Sequence, residues 1–250
     1  MKAMIFAAGL GTRLRPLTDH CPKALIEVGG EPMLGRVLRR AIDAGVTEAV
    51  VNVHHLPQMI VDYLAANSNF GITIHVSHED DLLLDTGGGL LAARRWLDGN
   101  EDILVHNADI FTDVDIRDMY RHHINSGSDV ILMAWKRDSS RALLIDKKGR
   151  MHGWTNIATG EVRPPSLAPV RDTMDTVAFG GVHVVSPRIF SHLEHYASEH
   201  GQVFSIMPFY VSACSAMPVS IYTPPAPVEW ADIGKLNTLE NLRNKYPSHH

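Results

Sequence analysis

The chain has 250 residues, enough for one large domain or two small ones, and its 45% apolar and 20% charged content is that of a soluble globular protein. A formal net charge of −5 argues against a broad nucleic-acid-binding surface, and no apolar run approaches the length of a membrane span. Two isolated cysteines, Cys21 and Cys214, form neither a disulfide framework nor a zinc motif. Lys2 leads straight into strand-like sequence without signal-peptide architecture, so a reducing cytoplasm is the expected home. The fifteen histidines are scattered. The pairs His54-His55, His122-His123 and His249-His250 lack the i, i+4 spacing that puts two ligands on one helix face, and the terminal pair reads as part of a purification tag.

The first 130 residues alternate between the two kinds of element. Strands are expected at Lys2–Ala7, Glu48–Val53, Ile72–Val76, Asp102–His106 and Asp129–Trp135. Between them, helices are expected at Met33–Ala44, Gln58–Ala66, Gly88–Leu97 and Ile116–Asn125; in the first, Leu34, Val37, Leu38, Ala41 and Ile42 share a face and Gly45 ends it. Such alternation predicts βαβ units in a doubly wound, mostly parallel, Rossmann-like α/β sheet. The second half is less regular. Ala142–Asp146 and Met151–Asn156 flank Lys147-Lys148-Gly149 as a hairpin, Arg163–Pro169 reads as a loop, and Val177–Val185 as a strand. Helices near Arg188–Tyr196 and Val203–Ser212, a strand at Val219–Tyr222 and a last helix at Leu236–Lys245 complete the chain. The expected organisation is a single domain in which residues 1–135 form a nucleotide-binding half and residues 136–250 add a β-rich insertion.

The most informative stretch runs from Phe6 to Leu34. A buried strand enters a turn at Gly9 and Gly11, where bare backbone N–H groups can approach a ligand, and Arg13, Arg15 and Lys23 add positive charge. That combination suits a polyphosphate. A Walker A loop is excluded because nothing fits G-x-x-x-x-G-K-[ST]. A dinucleotide fingerprint fits Gly9 and Gly11 but has Leu14 at its third glycine, which argues against an NAD oxidoreductase. Two acidic residues stand out by position. Asp109 follows strand Asp102–His106, at the carboxyl end where open α/β sheets place their sites, and Asp232 lies in Trp230-Ala231-Asp232-Ile233-Gly234. Taken singly, each also suits a turn-forming Asp.

GLGTRLRPLT, then PKAL, then a glycine and P-M-L, resembles the signature of sugar-1-phosphate nucleotidylyltransferases. The Asp85-Thr86-Gly87-Gly88-Gly89 and Val51-Asn52-Val53-His54-His55 segments resemble a compact branch that includes N-acetylmuramate-1-phosphate uridylyltransferase and heptose-1-phosphate guanylyltransferase. The resemblance implies an enzyme that joins a nucleoside triphosphate, UTP favoured, to a sugar 1-phosphate such as N-acetylmuramate 1-phosphate or a hexose 1-phosphate, releasing pyrophosphate. Guanylyl or cytidylyl transfer to a heptose, mannose or alditol phosphate is the alternative, and a non-catalytic nucleotide-sugar-binding regulator a further one. It implies that Arg13 and Lys23 are catalytic. The nucleotide would lie against Ala7, Ala8, Gly9, Gly11, Thr12, Arg13, Lys23, Glu79, Thr86, Gly87 and Gly88. Asn107 and Gly181 would face the sugar, and Asp109 and Asp232 would hold Mg²⁺. Asn52 reads as a strand-end cap outside the site. The Glu-Lys-Pro step of many relatives is absent, and Arg163 or Arg171 could supply its cation. The expected partners are the two substrates, with neither nucleic acid nor membrane, on a monomer or small homo-oligomer.

Overall fold

The computed structural model describes residues 1–247, so His249-His250 lie outside the described residues. Strands β1 (Lys2–Phe6), β2 (Glu27–Val28) and β3 (Glu31–Pro32) precede helix α1 (Met33–Asp43). Then follow β4 (Glu48–Val53), α2 (Pro57–Ala66), β5 (Thr73–His78), α3 (Asp85–Ala92), α4 (Arg94–Leu97), β6 (Ile103–Asn107), β7 (Ile110–Thr112), α5 (Ile116–Ser126) and β8 (Val130–Trp135). The second half contributes β9 (Arg141–Ile145), β10 (Met151–Asn156), β11 (Val162–Arg163), β12 (Asp175–Val185), α6 (Ile189–His200), α7 (Ile206–Ala213), β13 (Val219–Tyr222), β14 (Trp230–Asp232) and α8 (Leu236–Lys245).

The main sheet runs β11-β10-β9-β12-β6-β1-β4-β5, with β8 also paired to β12 and β13 to β8. The run β6-β1-β4-β5 is wholly parallel, as the alternation predicts. β12 enters antiparallel to β6; its other edge pairs with β9 near Asp175–Val177 and with β8 beyond it. After Lys2, β1 is apolar because both of its faces are covered. Met4 packs with Val50 and Val105 under α3, α4, α6 and α7, whereas Ala3 and Ile5 pack with Val51 and Leu104 under α1, α2 and α5. A third cluster of Leu14, Ile26, Val28, Met33, Phe111, Ile233, Leu239 and Leu242 ties the N-terminal loop to the end of the chain.

Several boundaries differ from the sequence reading. The helix expected at Gly88–Leu97 begins at Asp85 and is broken at Ala93 into α3 and α4. The helix expected from Val203 starts at Ile206, because the Phe204 carbonyl is occupied by the N–H groups of Gly87 and Gly88. Arg163–Pro169, read as a loop, contains the end of β11 and part of a 3₁₀ stretch, Pro165–Thr173. The antiparallel ribbon β7–β14 was not foreseen. Among the described residues no helix is long and apolar enough to cross a membrane.

Two histidines are buried where the parallel strands meet β12. His183 and His106 are each 1% exposed, and neither ring nitrogen of His183 has a hydrogen-bond partner. Burial pushes His183 down to about 3, helped by His106, and pushes His106 down to about 4. Both values are depressed, so the unfolded chain takes up protons first. Stability present above about pH 6.5 should therefore fall as pH drops toward 4, at roughly 1.4 kcal/mol per pH unit for each histidine. Urea midpoints of wild type and His183→Phe at pH 7 and pH 5 test this; the variant should lose less, and an equally steep loss would contradict it.

Candidate active site

The site forms where the strand order reverses. β4 and β5 lie on one side of β1 and β6 on the other, with Phe6 level with both Asn52 and Asn107. Crevices at the carboxyl ends of strands beside such a switch point are the usual ligand sites of open α/β sheets. A cleft of about 510 Å³ opens there, walled by the Ala7–Arg13 loop, Lys23, Asn52, Glu79, Asp85, Thr86, Asn107, Asp109 and Gly234.

The glycine loop is set by short-range packing. Gly11 has φ +64°, and a Cβ there would lie 2.6 Å from Thr18 Cγ2. The Thr18 hydroxyl donates to the Gly11 carbonyl at 2.9 Å, and the Leu14 N–H does so at 2.8 Å, which closes a tight turn. Gly9 differs: nothing lies within 4 Å of its Cβ position, so the protein itself fills none of the space in front of it. Arg13 is exposed on the cleft wall and forms no ion pair among the described residues. Arg15 points elsewhere and pairs with Asp19 at 3.3 Å.

The acidic pair is assembled by the unforeseen ribbon. Asp232 is paired in register with Ile110 across β7–β14, and the Ile233 N–H donates to the Asp109 carbonyl at 3.0 Å. Lys23 forms an ion pair with Asp109 Oδ2. Gly234 lies at the centre of the group. A Cβ on it would be 2.6 Å from Arg13 Nη2 and 2.8 Å from both Asp232 Oδ1 and Lys23 Nζ. Two cations and one carboxylate, drawn from opposite ends of the chain, therefore surround one point, and Asp109 joins them through its ion pair with Lys23. Asp232 Oδ1 accepts from the Gly234 N–H at 2.8 Å, which fixes the carboxylate.

The other wall rests on a buried polar chain. The Ala7 N–H donates to Asn52 Oδ1 at 2.8 Å, Asn52 Nδ2 donates to Glu79 Oε1 at 2.7 Å, and the Leu84 N–H donates to Glu79 Oε2 at 2.8 Å. Both carboxylate oxygens of Glu79 are thus engaged within the protein. Glu79 borders the cleft, and its carboxylate holds the 79–84 loop against β4. Asn52, set aside from sequence, is part of this wall; its signal was an amide at the carboxyl end of a buried strand. Gly89 makes room for the pair, since a Cβ there would be 2.9 Å from Glu79 Oε1 and 3.0 Å from Asn52 Nδ2.

Gly87 and Gly88 do not line the cleft, which corrects their expected role as nucleotide contacts. Their N–H groups both donate to the Phe204 carbonyl, at 2.9 and 3.1 Å, so the helix start is already capped. Added Cβ atoms would collide with the Phe204 ring and the Gln202 carbonyl, so these glycines serve helix packing. Thr86 does border the cleft, and its hydroxyl accepts from the Ile206 N–H at 2.9 Å at the start of α7. Asn107 reaches the cleft. Gly181 sits beneath it, in a bulge of β12 between Phe179 and His183, with φ +78° and its Cβ position 2.7 Å from Ile110 Cγ1. Asp85, Leu83, Val203 and Gly234 line the cleft and were not singled out from sequence.

Among the described residues no group of three or more His, Cys, Asp or Glu side chains converges. The donor set is two carboxylates beside a phosphate-binding loop. That set fits Mg²⁺, which typically takes one or two carboxylates and completes its shell with waters and substrate phosphates.

Comparison with known proteins gives a consistent picture. The nucleotidyl transferase family model matches residues 2–249. The N-acetylmuramate alpha-1-phosphate uridylyltransferase of Neisseria meningitidis serogroup B is 46% identical over 201 residues, covering 78% of this chain and 79% of that protein. The mannose-1-phosphate guanyltransferase of Pichia angusta is 34% identical over 139 residues, covering 55% of this chain and 38% of that protein. Among solved structures, HddC from Yersinia pseudotuberculosis complexed with GMP-PN superposes with a TM-score of 0.74 at 20% identity, covering 98% of this chain and 99% of that one, a likeness of fold.

Proposed function

The chain belongs to the nucleotidyl transferase family and joins a nucleoside triphosphate to a sugar 1-phosphate, and we propose that it transfers uridylyl from UTP to N-acetylmuramate 1-phosphate. The observation that carries the reaction is the meeting of Arg13, Lys23 and Asp232 around Gly234, with Asp109 ion-paired to Lys23. The observation that favours this substrate pair is the 46% identity to the Neisseria uridylyltransferase across most of both chains. The guanylyl-transferring relative matches a shorter part of this chain, which supports the second choice of base less strongly.

The chemistry follows from charge. An oxygen of the sugar phosphate bonds to the α-phosphorus, the bond from that phosphorus to the β-phosphate bridge breaks, and pyrophosphate leaves with the electron pair. A phosphate dianion is already nucleophilic at neutral pH, so no side chain need remove a proton. The obstacles are repulsion between anions and charge growing around phosphorus, and fixed cations in a pre-formed cleft lower both. Arg13 holds the triphosphate and the departing pyrophosphate. Lys23, aimed by Asp109, spans the α-phosphate and the incoming phosphate. Asp109 and Asp232 would hold Mg²⁺, which when bound neutralises phosphate charge and fixes the line of attack. The Ala7–Gly9 backbone and the Asn52–Glu79 wall bound the space for the base. In this reading residues 1–135 serve the nucleotide, while residues 136–250 serve the sugar and supply Asp232.

Thermal shift with each nucleoside triphosphate and Mg²⁺ tests the choice of base, because a ligand bound only to the folded chain raises its melting temperature. UTP should give the largest increase. A larger increase with GTP or CTP would overturn the uridylyl assignment.

A further inference from the structure

A second cavity, of about 900 Å³, lies between the β9–β10 hairpin and helix α7 and includes Arg137, Arg141 and Arg163 in its lining. It adjoins the first. Ser205 borders it, and Ser205 Oγ is 3.5 Å from the hydroxyl of Thr86, which borders the nucleotide cleft. The three arginines are not equivalent. Arg163 is tied to Glu161 at 2.6 Å, and Arg141 is exposed. Arg171, the other cation suggested from sequence, does not line the cavity, and its nearest carboxylate is Asp172 at 4.0 Å.

Arg137 is held in place and has no carboxylate partner among the described residues. Its guanidinium carbon lies 4.1 Å from the centroid of the Trp230 ring and 5.4 Å from that of Trp135. One amino group donates to the Phe179 carbonyl at 2.7 Å, at the start of the β12 bulge, and its buried Nε has no partner. Trp230 Nε1 donates to the Gly180 carbonyl at 2.8 Å, which locks the same bulge to the strand that carries Asp232. Burial draws the guanidinium below its ordinary value, and the Asp232 carboxylate opposes that shift. A guanidinium stacked and bonded in this way loses little freedom on binding and keeps donors for a planar or tetrahedral oxyanion.

We propose that Arg137 binds the phosphate of the incoming sugar 1-phosphate and that the sugar occupies the cavity beyond it. The assignment rests on the transferase reading above. It follows from position: Arg137 lines the second cavity, is anchored without a carboxylate partner among the described residues, and lies beside the strand that brings Asp232 to the reacting phosphates. The sugar ring then faces Trp154, Asn156 and Phe179, which line the same cavity.

The test is steady-state kinetics of wild type, Arg137→Met and Arg137→Lys with UTP, Mg²⁺ and N-acetylmuramate 1-phosphate, with melting temperatures recorded for each. Arg137→Met should raise KM for the sugar phosphate by about 10- to 100-fold, the weight of a charged hydrogen bond, and leave KM for UTP within about twofold. Arg137→Lys should recover part of the loss. Inorganic phosphate, as a competitor of the sugar phosphate, should inhibit wild type more strongly than Arg137→Met. Variants that keep the wild-type KM for the sugar phosphate, or that raise both KM values alike, would overturn the assignment while wild-type turnover leaves the transferase reading standing. A wild type that releases no pyrophosphate would overturn both.

Discussion

Replacing Lys23 with methionine is expected to lower turnover on the order of 1,000-fold while the melting temperature changes little. The stem of Lys23 is retained in the variant, so the packing around it survives. Its head group is lost, and two effects add. The ammonium no longer faces the phosphates, where a fixed donor in a water-poor cleft contributes roughly 3–4 kcal/mol to the transition state. Asp109 also loses the ion pair that couples it to Lys23, so its carboxylate is less well positioned. Lys23→Arg should not rescue the rate, because a planar guanidinium does not place its charge where a compact ammonium does. A Lys23→Met enzyme within tenfold of wild type would remove Lys23 from the reaction.

Gly234→Ala should have the next largest effect, about 100-fold or more in turnover. One methyl group would enter the space where Arg13, Lys23 and Asp232 meet, at 2.6 to 2.8 Å from all three. Each must retreat, and a displacement near 1 Å in a positioned site costs about two orders of magnitude. Gly234 has no positive φ, so the backbone is not strained by the change. Ile233, beside it, keeps its place in the core cluster with Leu239 and Leu242. Near-native urea midpoints together with the rate loss are the expected pair of results. A variant with wild-type rate would show that these three side chains need not sit as close as the geometry places them.

These two residues mark what could and could not be read from sequence. Lys23 was legible because it belongs to a continuous loop whose glycines, arginines and proline-lysine pair act together over a short stretch. Asp109 was legible because a strand precedes it, and strand ends position sites. Gly234 stood in a quoted motif, but its neighbours Arg13 and Lys23 are more than two hundred positions away, so local text cannot reveal the crowding. The ribbon β7–β14 was missed for a related reason. Its strands are three residues each, too short for an alternating pattern to register.

Gly87 and Gly88 show the opposite error. Glycines at a helix start suggested free N–H groups open to a ligand, yet a carbonyl from Phe204, more than a hundred residues on, already occupies them. Local pattern predicted the need for glycine and misassigned its cause. Asn52 was undervalued because a polar residue at a strand end has a sufficient local explanation. Its link to Glu79 depends on β4 and β5 being neighbours. In the second half, the hairpin was legible from its turn residues, whereas Arg137 acquires its setting only when Trp135, Trp230 and the β12 bulge come together.

The central claim is that this cleft joins UTP to a sugar 1-phosphate with loss of pyrophosphate. Incubating the wild-type protein with UTP, Mg²⁺ and N-acetylmuramate 1-phosphate, and following both pyrophosphate and the nucleotide sugar, tests it most directly. The account predicts equal amounts of the two products, with formation abolished when Mg²⁺ is chelated. Absence of pyrophosphate with every nucleoside triphosphate and every sugar 1-phosphate supplied, in the presence of Mg²⁺, would contradict it.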